Sequence, residues 1–180
     1  MQWSSVSPEI KSKVNDPQAA VRYLRKIALF KNFSEDELKK IYQKGELRVV
    51  EPQAYAVIEG EPSRGLFIIV EGKMSVFKSE KGTDKMHRIA NLDALDSFGE
   101  MSLFDAAPRS ATIAADTLCY LFHIDAEAFD AYLSGQGDNA KYRFYKACAE
   151  DLSERFRAIN ADYIASQKLL WEYALRKNED

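Results

Sequence analysis

The chain has 180 residues, and its 25 Lys and Arg against 28 Asp and Glu give a net charge of −3. That leaves none of the chain-wide basic balance on which nucleic-acid binding draws, and a hydrophobic content of 46% excludes wholesale disorder. No apolar run approaches the roughly 20 residues of a membrane span, and Met1-Gln2-Trp3-Ser4-Ser5 lacks a basic-then-apolar leader; a soluble, cytoplasmic protein with no nucleic-acid and no membrane partner is expected.

Residues 1–15 are polar, without apolar periodicity, and are expected to fray. Asp16-Pro17 reads as a helix cap followed by proline at the first helical position. Val21, Leu24 and Ile27 then carry a helix to about Ala28. Ser34-Glu35-Asp36-Glu37 is a capping-box pattern, and the helix it opens runs through Leu38 and Ile41 to a stop at Gly45. From Glu46 to about Ile124 short β-branched and aromatic runs alternate with Gly, Pro, Asp and Asn turns. Leu47–Val50, Leu66–Val70, Met74–Phe77 and Leu118–Ile124 are examples, and Lys81-Gly82-Thr83-Asp84 reads as a hairpin tip. Seven or eight such strands imply a sandwich or jelly roll.

Beyond Asp125 the chain turns helical again, with a break at Ser134-Gly135-Gln136-Gly137-Asp138. From about Asn139 to Lys177 there is neither proline nor glycine. An unbroken helix of that length spans roughly 60 Å. Tyr145, Ala149, Leu152, Phe156, Ile159, Tyr163, Ser166, Leu170 and Tyr173 form a heptad seam along it. A small domain cannot bury such a helix throughout, so part of it is expected to pair with a second copy, making a homodimer. The alternative is a broken helix folded back on the β roll, or packing on residues 17–44. Three parts result: an N-terminal helical segment (1–45), a β roll with a short following helix (46–133), and the long C-terminal helix (134–180). The fold class is α+β, an antiparallel jelly roll flanked by helices.

Cys119 and Cys148 match no zinc or redox spacing and are read as free thiols. His87 and His123 have no partners at metal-ligand spacing, so no metal is expected. His123 alternates with core residues in Leu121-Phe122-His123-Ile124 and is expected to face outward.

The segment from Phe98 to Ile113 carries the chemistry. Gly99 allows a ligand to approach the backbone, because no Cβ stands in the way. Glu100-Met101-Ser102-Leu103-Phe104 reads as one helical turn, whose first N–H groups lack intrahelical partners and suit an anion. Pro108 ends the loop, and Arg109 stands at the start of an apolar strand from Ala111 to Ala115. A partly buried arginine needs an anionic partner, and phosphate suits its planar fork. Glu100 repels phosphate but can accept a hydrogen bond from a sugar hydroxyl, and Arg109 can also steady Glu100. The same two residues could instead close a turn as an ion pair with no ligand. The ordered run F-G-E followed by P-R-S-A-T argues for the ligand.

This segment resembles the phosphate-binding cassette of cyclic-nucleotide-binding domains, the family of catabolite-activator-like proteins and protein kinase A regulatory subunits. The run Val57 to Phe77, with turn glycines Gly60 and Gly72, and Ala111-Thr112-Ile113-Ala114-Ala115-Asp116-Thr117 extend the resemblance over roughly 29–133. One departure is Leu92-Asp93-Ala94-Leu95-Asp96, where the family carries L-G-x-G-D. The resemblance implies a non-enzymatic receptor in which Glu100 holds the ribose 2′-hydroxyl and Arg109 the cyclic phosphate. Phe98, Gly99, Met101, Ser102, Ser110 and Ala111 complete the cradle. Serine at position 110 accompanies cyclic AMP in the catabolite-activator-like branch, whereas threonine there goes with cyclic GMP, so cyclic AMP is expected and cyclic GMP remains possible. Arg155, Arg157, Ile159 and Asn160 are candidates to cap the base. The chain carries no recognisable DNA-binding helix-turn-helix, so output through a protein partner or the dimer is expected. The alternative function is a scaffold that keeps the fold without the ligand.

Overall fold

The computed structural model describes residues 16–62, 65–105 and 107–177. The expectation for residues 1–15 concerns a segment outside them. Helix α1 (Pro17–Leu24) begins where the Asp16 carboxylate accepts from the N–H groups of Gln18 and Ala19, each at 3.2 Å. It ends before Ile27, which instead precedes a separate 3-10 turn at Ala28–Phe30. Helix α2 (Glu35–Lys44) has the full capping box: the Glu37 N–H donates to Ser34 Oγ, and the Ser34 N–H donates to the Glu37 carboxylate. Gly45 ends α2 in extended rather than left-handed backbone, and the reason for glycine there is space. A Cβ would stand 2.2 Å from the Phe122 ring.

Eight strands follow: β1 (Gly45–Val50), β2 (Tyr55–Val57), β3 (Leu66–Glu71), β4 (Met74–Ser79), β5 (Met86–Leu92), β6 (Ser97–Phe98), β7 (Thr112–Ala115) and β8 (Cys119–Ile124). They form two antiparallel four-stranded sheets, ordered β1-β8-β3-β6 and β2-β7-β4-β5. The α+β jelly roll expected from the sequence is the observed architecture. The hairpin tip between β4 and β5 closes with the Glu80 N–H donating to Lys85 O at 2.9 Å.

The first sheet is covered on both faces. Leu66, Ile68 and Val70 of β3, with Tyr120, Phe122 and Ile124 of β8, pack against the helices. Phe67, Ile69, Cys119 and Leu121 point into the roll, toward the second sheet. The interior of the roll is where the sequence reading of His123 fails. His123 shares the inward face with Cys119 and Leu121, is buried, and sits 4.5 Å centroid to centroid from Phe67. Outward exposure presumes a sheet with one wet face, whereas β8 is central and has none. Burial pushes the His123 imidazole below its ordinary value.

Helices α3 (Ala126–Gly135) and α4 (Asp138–Lys177) complete the chain. α4 is one continuous 40-residue helix. Its buried apolar contacts lie in the first third, at Ala140, Phe144, Ala147 and Cys148. Phe144 meets Phe129 edge-on at 4.8 Å and stacks on Phe30 at 6.3 Å. Arg143 bonds to Asn32 O at 2.7 Å and pairs with Glu37, and Lys31 pairs with Glu150 at 2.9 Å. Further along, Phe156, Ile159, Tyr163, Leu170 and Tyr173 are all exposed. Cys119 and Cys148 are buried free thiols. Among the described residues, no helix is long and apolar enough to cross a membrane, and no cluster of His, Cys, Asp and Glu is placed to hold a metal.

Phe144 is the central bolt between α4 and the body, so Phe144→Ala is expected to cost about 3–5 kcal/mol. Chemical denaturation of the full chain reads the loss directly.

Candidate functional site

The cassette leaves β6 through Gly99, whose backbone is left-handed (φ 87°, ψ 6°). Space demands glycine there too, since a Cβ would lie 2.4 Å from Gly65 O and 2.5 Å from Arg109 Nη1. Glu100–Leu103 then forms a 3-10 turn, the short helical turn that the sequence predicts. The Ser102 hydroxyl donates to Gly99 O at 2.7 Å and accepts from the Gly65 N–H at 3.2 Å. It ties the turn to the start of β3. The departure at Leu92–Asp96 has a backbone counterpart, for Leu95 adopts φ 81° where the family carries its second glycine. Leu95 N donates to Ile69 O at 2.9 Å, and Asp93 N to the Asp96 carboxylate at 2.8 Å, so hydrogen bonds hold the strained turn.

Arg109 and Glu100 are both buried, at 8% and 5% exposure. The Arg109 guanidinium lies over the Phe67 ring, 5.6 Å from its centroid, and donates from Nη2 to Gly65 O at 3.1 Å. Phe67 in turn stacks on Phe98 at 4.9 Å. Burial pushes the guanidinium below its ordinary value, with the Glu100 charge opposing. Burial likewise pushes the Glu100 carboxyl above the usual range, against the pull of Arg155 and, more weakly, Arg109. Glu100 Oε1 lies 3.8 Å from Arg155 Nη1 of α4, and Oε2 is buried without a hydrogen-bond donor among the described residues. Arg155 itself donates from Nη2 to Ser97 O at 2.9 Å and pairs with Asp151 at 2.9 Å.

Both charges open onto one cavity of about 1470 Å³, bounded by the cassette, β5, the start of β7 and the middle of α4. A carboxylate oxygen without a donor and a buried guanidinium on one wall can receive a hydroxyl and an anion of a single small molecule.

The family model of the cyclic nucleotide-binding domain matches residues 47–136. The chain belongs to that family. It is 34% identical to cGMP-dependent protein kinase 2 of Mus musculus over 123 residues, covering 67% of this chain and 16% of the kinase. It is 36% identical to the cAMP-dependent protein kinase regulatory subunit of Mycosarcoma maydis over 94 residues, covering 52% of this chain and 18% of that protein. The chain thus spans under a fifth of the length of these relatives. A cyclic nucleotide-binding domain from Methylobacillus flagellatus superposes with a TM-score of 0.67 at 23% identity, over 77% of this chain and 80% of that one. The Thermus thermophilus catabolite activator protein superposes at 0.64 with 22% identity, over 75% and 61% of the two chains.

In this cyclic nucleotide-binding domain Phe98, Gly99, Glu100, Met101, Ser102, Arg109, Ser110 and Ala111 all line the one cavity. So do Arg155, Arg157 and Ile159, which α4 brings over the roll. Asn160 is exposed and outside the lining, about 140° round the helix from Arg155. Sequence reasoning placed Arg155 only at the base; α4 brings it to Glu100 as an ion-pair partner, beside the weaker pull of Arg109. It also missed Phe67, whose ring supports both Arg109 and Phe98 from a strand 42 positions before Arg109. An aromatic inside an apolar strand gives no sign of that task.

The raised carboxyl of Glu100 has a measurable consequence. Folded Glu100 keeps its proton to higher pH than the unfolded chain does, so its contribution to stability is present in acid and is lost as pH rises through the raised value. Wild-type protein is expected to lose stability relative to Glu100→Gln over that interval, as urea unfolding at a series of pH values reads out.

Proposed function

We propose that this domain is a cyclic-nucleotide receptor and that cyclic AMP is its ligand. The observation that carries the proposal is the pair of buried opposite charges on one cavity wall, with Glu100 Oε2 awaiting a donor. A ribose hydroxyl supplies that donor, and the cyclic phosphate supplies the anion for Arg109. Met101, Phe156 and Ile159 offer apolar surface for a purine across the same cavity. The matched relatives are named for cyclic GMP in one case and cyclic AMP in the other. The choice of cyclic AMP rests on Ser110, where the family's cyclic GMP receptors more often carry threonine.

The route of the signal follows from Arg155. It bridges the ribose-binding carboxylate to Asp151 and Ser97, so a ligand at Glu100 acts on the residue that holds α4 to the roll. The ligand shifts the populations of two α4 placements by no more than its difference in affinity for them. The exposed seam of Phe156, Ile159, Tyr163, Leu170 and Tyr173 suits pairing with α4 of a second copy. In this reading the output passes through that homodimer or a protein partner bound to it, and the protein acts as a regulator in the cytoplasm, not as an enzyme.

Arg109→Ala removes the phosphate's counter-charge, a loss of about 3–5 kcal/mol by the measure of broken buried pairs. Calorimetry at micromolar concentration is expected to show binding of cyclic AMP to wild type, weaker binding of cyclic GMP, and no heat from the variant. Wild-type-like heat from Arg109→Ala overturns the assignment. Light scattering on the same protein is expected to return twice the mass of one chain, and the monomer mass at all concentrations would refute the pairing of α4.

A further inference from the structure

Two side chains outside the cassette stitch it to the rest of the roll at a point where the backbone ladder has run out. β4 and β7 pair from Met74↔Ala115 to Phe77↔Thr112, and there the ladder ends. Arg109 and Ser110 lie just beyond it. The main chain of Arg109 meets main-chain partners: its N–H donates to Glu61 O at 3.0 Å, and its carbonyl accepts from the Gly60 N–H at 2.9 Å. The next carbonyl, that of Ser110, accepts instead from a side chain, Lys78 Nζ, at 2.6 Å. Lys78 is the residue after Phe77 on β4, so its side chain continues the stitching one step past the last ladder pair.

The lysine is itself held. Glu59 Oε1 accepts from Lys78 Nζ at 2.6 Å, and Glu59 Oε2 accepts from the Ser79 N–H at 2.9 Å. The Glu59 N–H donates to Thr112 Oγ1 at 2.9 Å. These donors hold the Glu59 carboxyl down to about 2, the Lys78 ammonium contributing most, so the carboxylate is charged at neutral pH. The turn after β2, the end of β4 and the start of β7 are thereby joined around Arg109 and Ser110.

A trans peptide is planar, so fixing its carbonyl oxygen fixes the N–H on the opposite edge. The Arg109 carbonyl sets the Ser110 N–H in this way, and the Ser110 carbonyl sets the Ala111 N–H. Both residues line the cavity. We propose that Lys78, held by Glu59, is a positioning residue for the anion site: by anchoring the Ser110 carbonyl it fixes the Ala111 N–H, a backbone donor beside Arg109 that receives an exocyclic oxygen of a cyclic phosphodiester. The proposal rests on the receptor reading above. It adds two residues, 19 positions apart in sequence, that no short motif contains.

The test uses the full-length chain as wild type, Lys78→Met, Lys78→Arg, Glu59→Gln and the Lys78→Met/Glu59→Gln double variant. Each is titrated calorimetrically with cyclic AMP and with its two phosphorothioate diastereomers, and each is melted without ligand. Lys78→Met is expected to bind cyclic AMP about tenfold more weakly, equivalent to about 1.4 kcal/mol. A half-exposed ion pair contributes little to folding, so the ligand-free melting temperature is expected to move by no more than about 4 °C. The ratio of affinities for the two diastereomers is expected to move toward one, because that donor no longer distinguishes the two exocyclic positions. Lys78→Arg is expected to restore both affinity and ratio. The double variant is expected to lose no more than Lys78→Met alone, since the two residues act as one unit.

Binding by Lys78→Met at wild-type affinity and ratio overturns the proposal and leaves the receptor reading standing. Parallel loss of affinity and melting temperature with no rescue by Lys78→Arg also overturns it, in favour of a purely structural pair. Failure of wild type to bind either cyclic AMP or cyclic GMP overturns the receptor reading, and the proposal with it.

Discussion

The roll buries a guanidinium and a carboxylate at one cavity wall and gives each its own support. Arg109 rests on the Phe67 face and on Gly65 O, while Glu100 draws on Arg155 from the long helix. Burying either charge alone is costly, and direct mutual neutralisation would remove the reason to bind anything else. These supports keep both charges in place on the cavity wall. The surrounding architecture serves that arrangement: Gly99 provides the room for Arg109, β3 supplies the ring, Gly65 just before it supplies the carbonyl, and β6 lines Phe98 up behind the ring. The unfavourable part is that burial pushes each group toward its neutral form.

Local patterns in the chain foretold much of this and non-local ones did not. Asp16-Pro17 and the Ser34–Glu37 box mark helix starts because capping is settled within four residues. The cassette was legible because its glycine, carboxylate, proline and arginine stand within twelve consecutive positions. Gly45 was recognised as a boundary for the wrong reason; what it answers to is the Phe122 ring, brought in by a strand nearly eighty positions later. His123 was misplaced because alternation shows which residues share a face but not that β8 lies between two covered faces. The supports of the site share this limit. Phe67, Arg155, Lys78 and Glu59 come from four separate elements, and only the register of the sheets and the docking of α4 bring them to the cassette.

The link between site and helix is narrow. α4 is joined to the body by an apolar cluster around Phe144 and by a few ion pairs, and it then touches the binding cavity through Arg155 and its neighbours. The apolar contacts set where the helix starts. The polar ones near Glu100 set how closely its middle lies on the roll, and these are the contacts that a molecule in the cavity can alter.

The length of α4 turns such a local change into a large one. Arg155 bonds it to the roll, and the helix continues to Lys177, an arm of roughly 33 Å. A tilt of about 5° at that contact swings the tip of a rod that long by about 3 Å. Displacements too small to disturb the packing of the roll are therefore amplified mechanically at the distant end, where Trp171 and Tyr173 stand exposed.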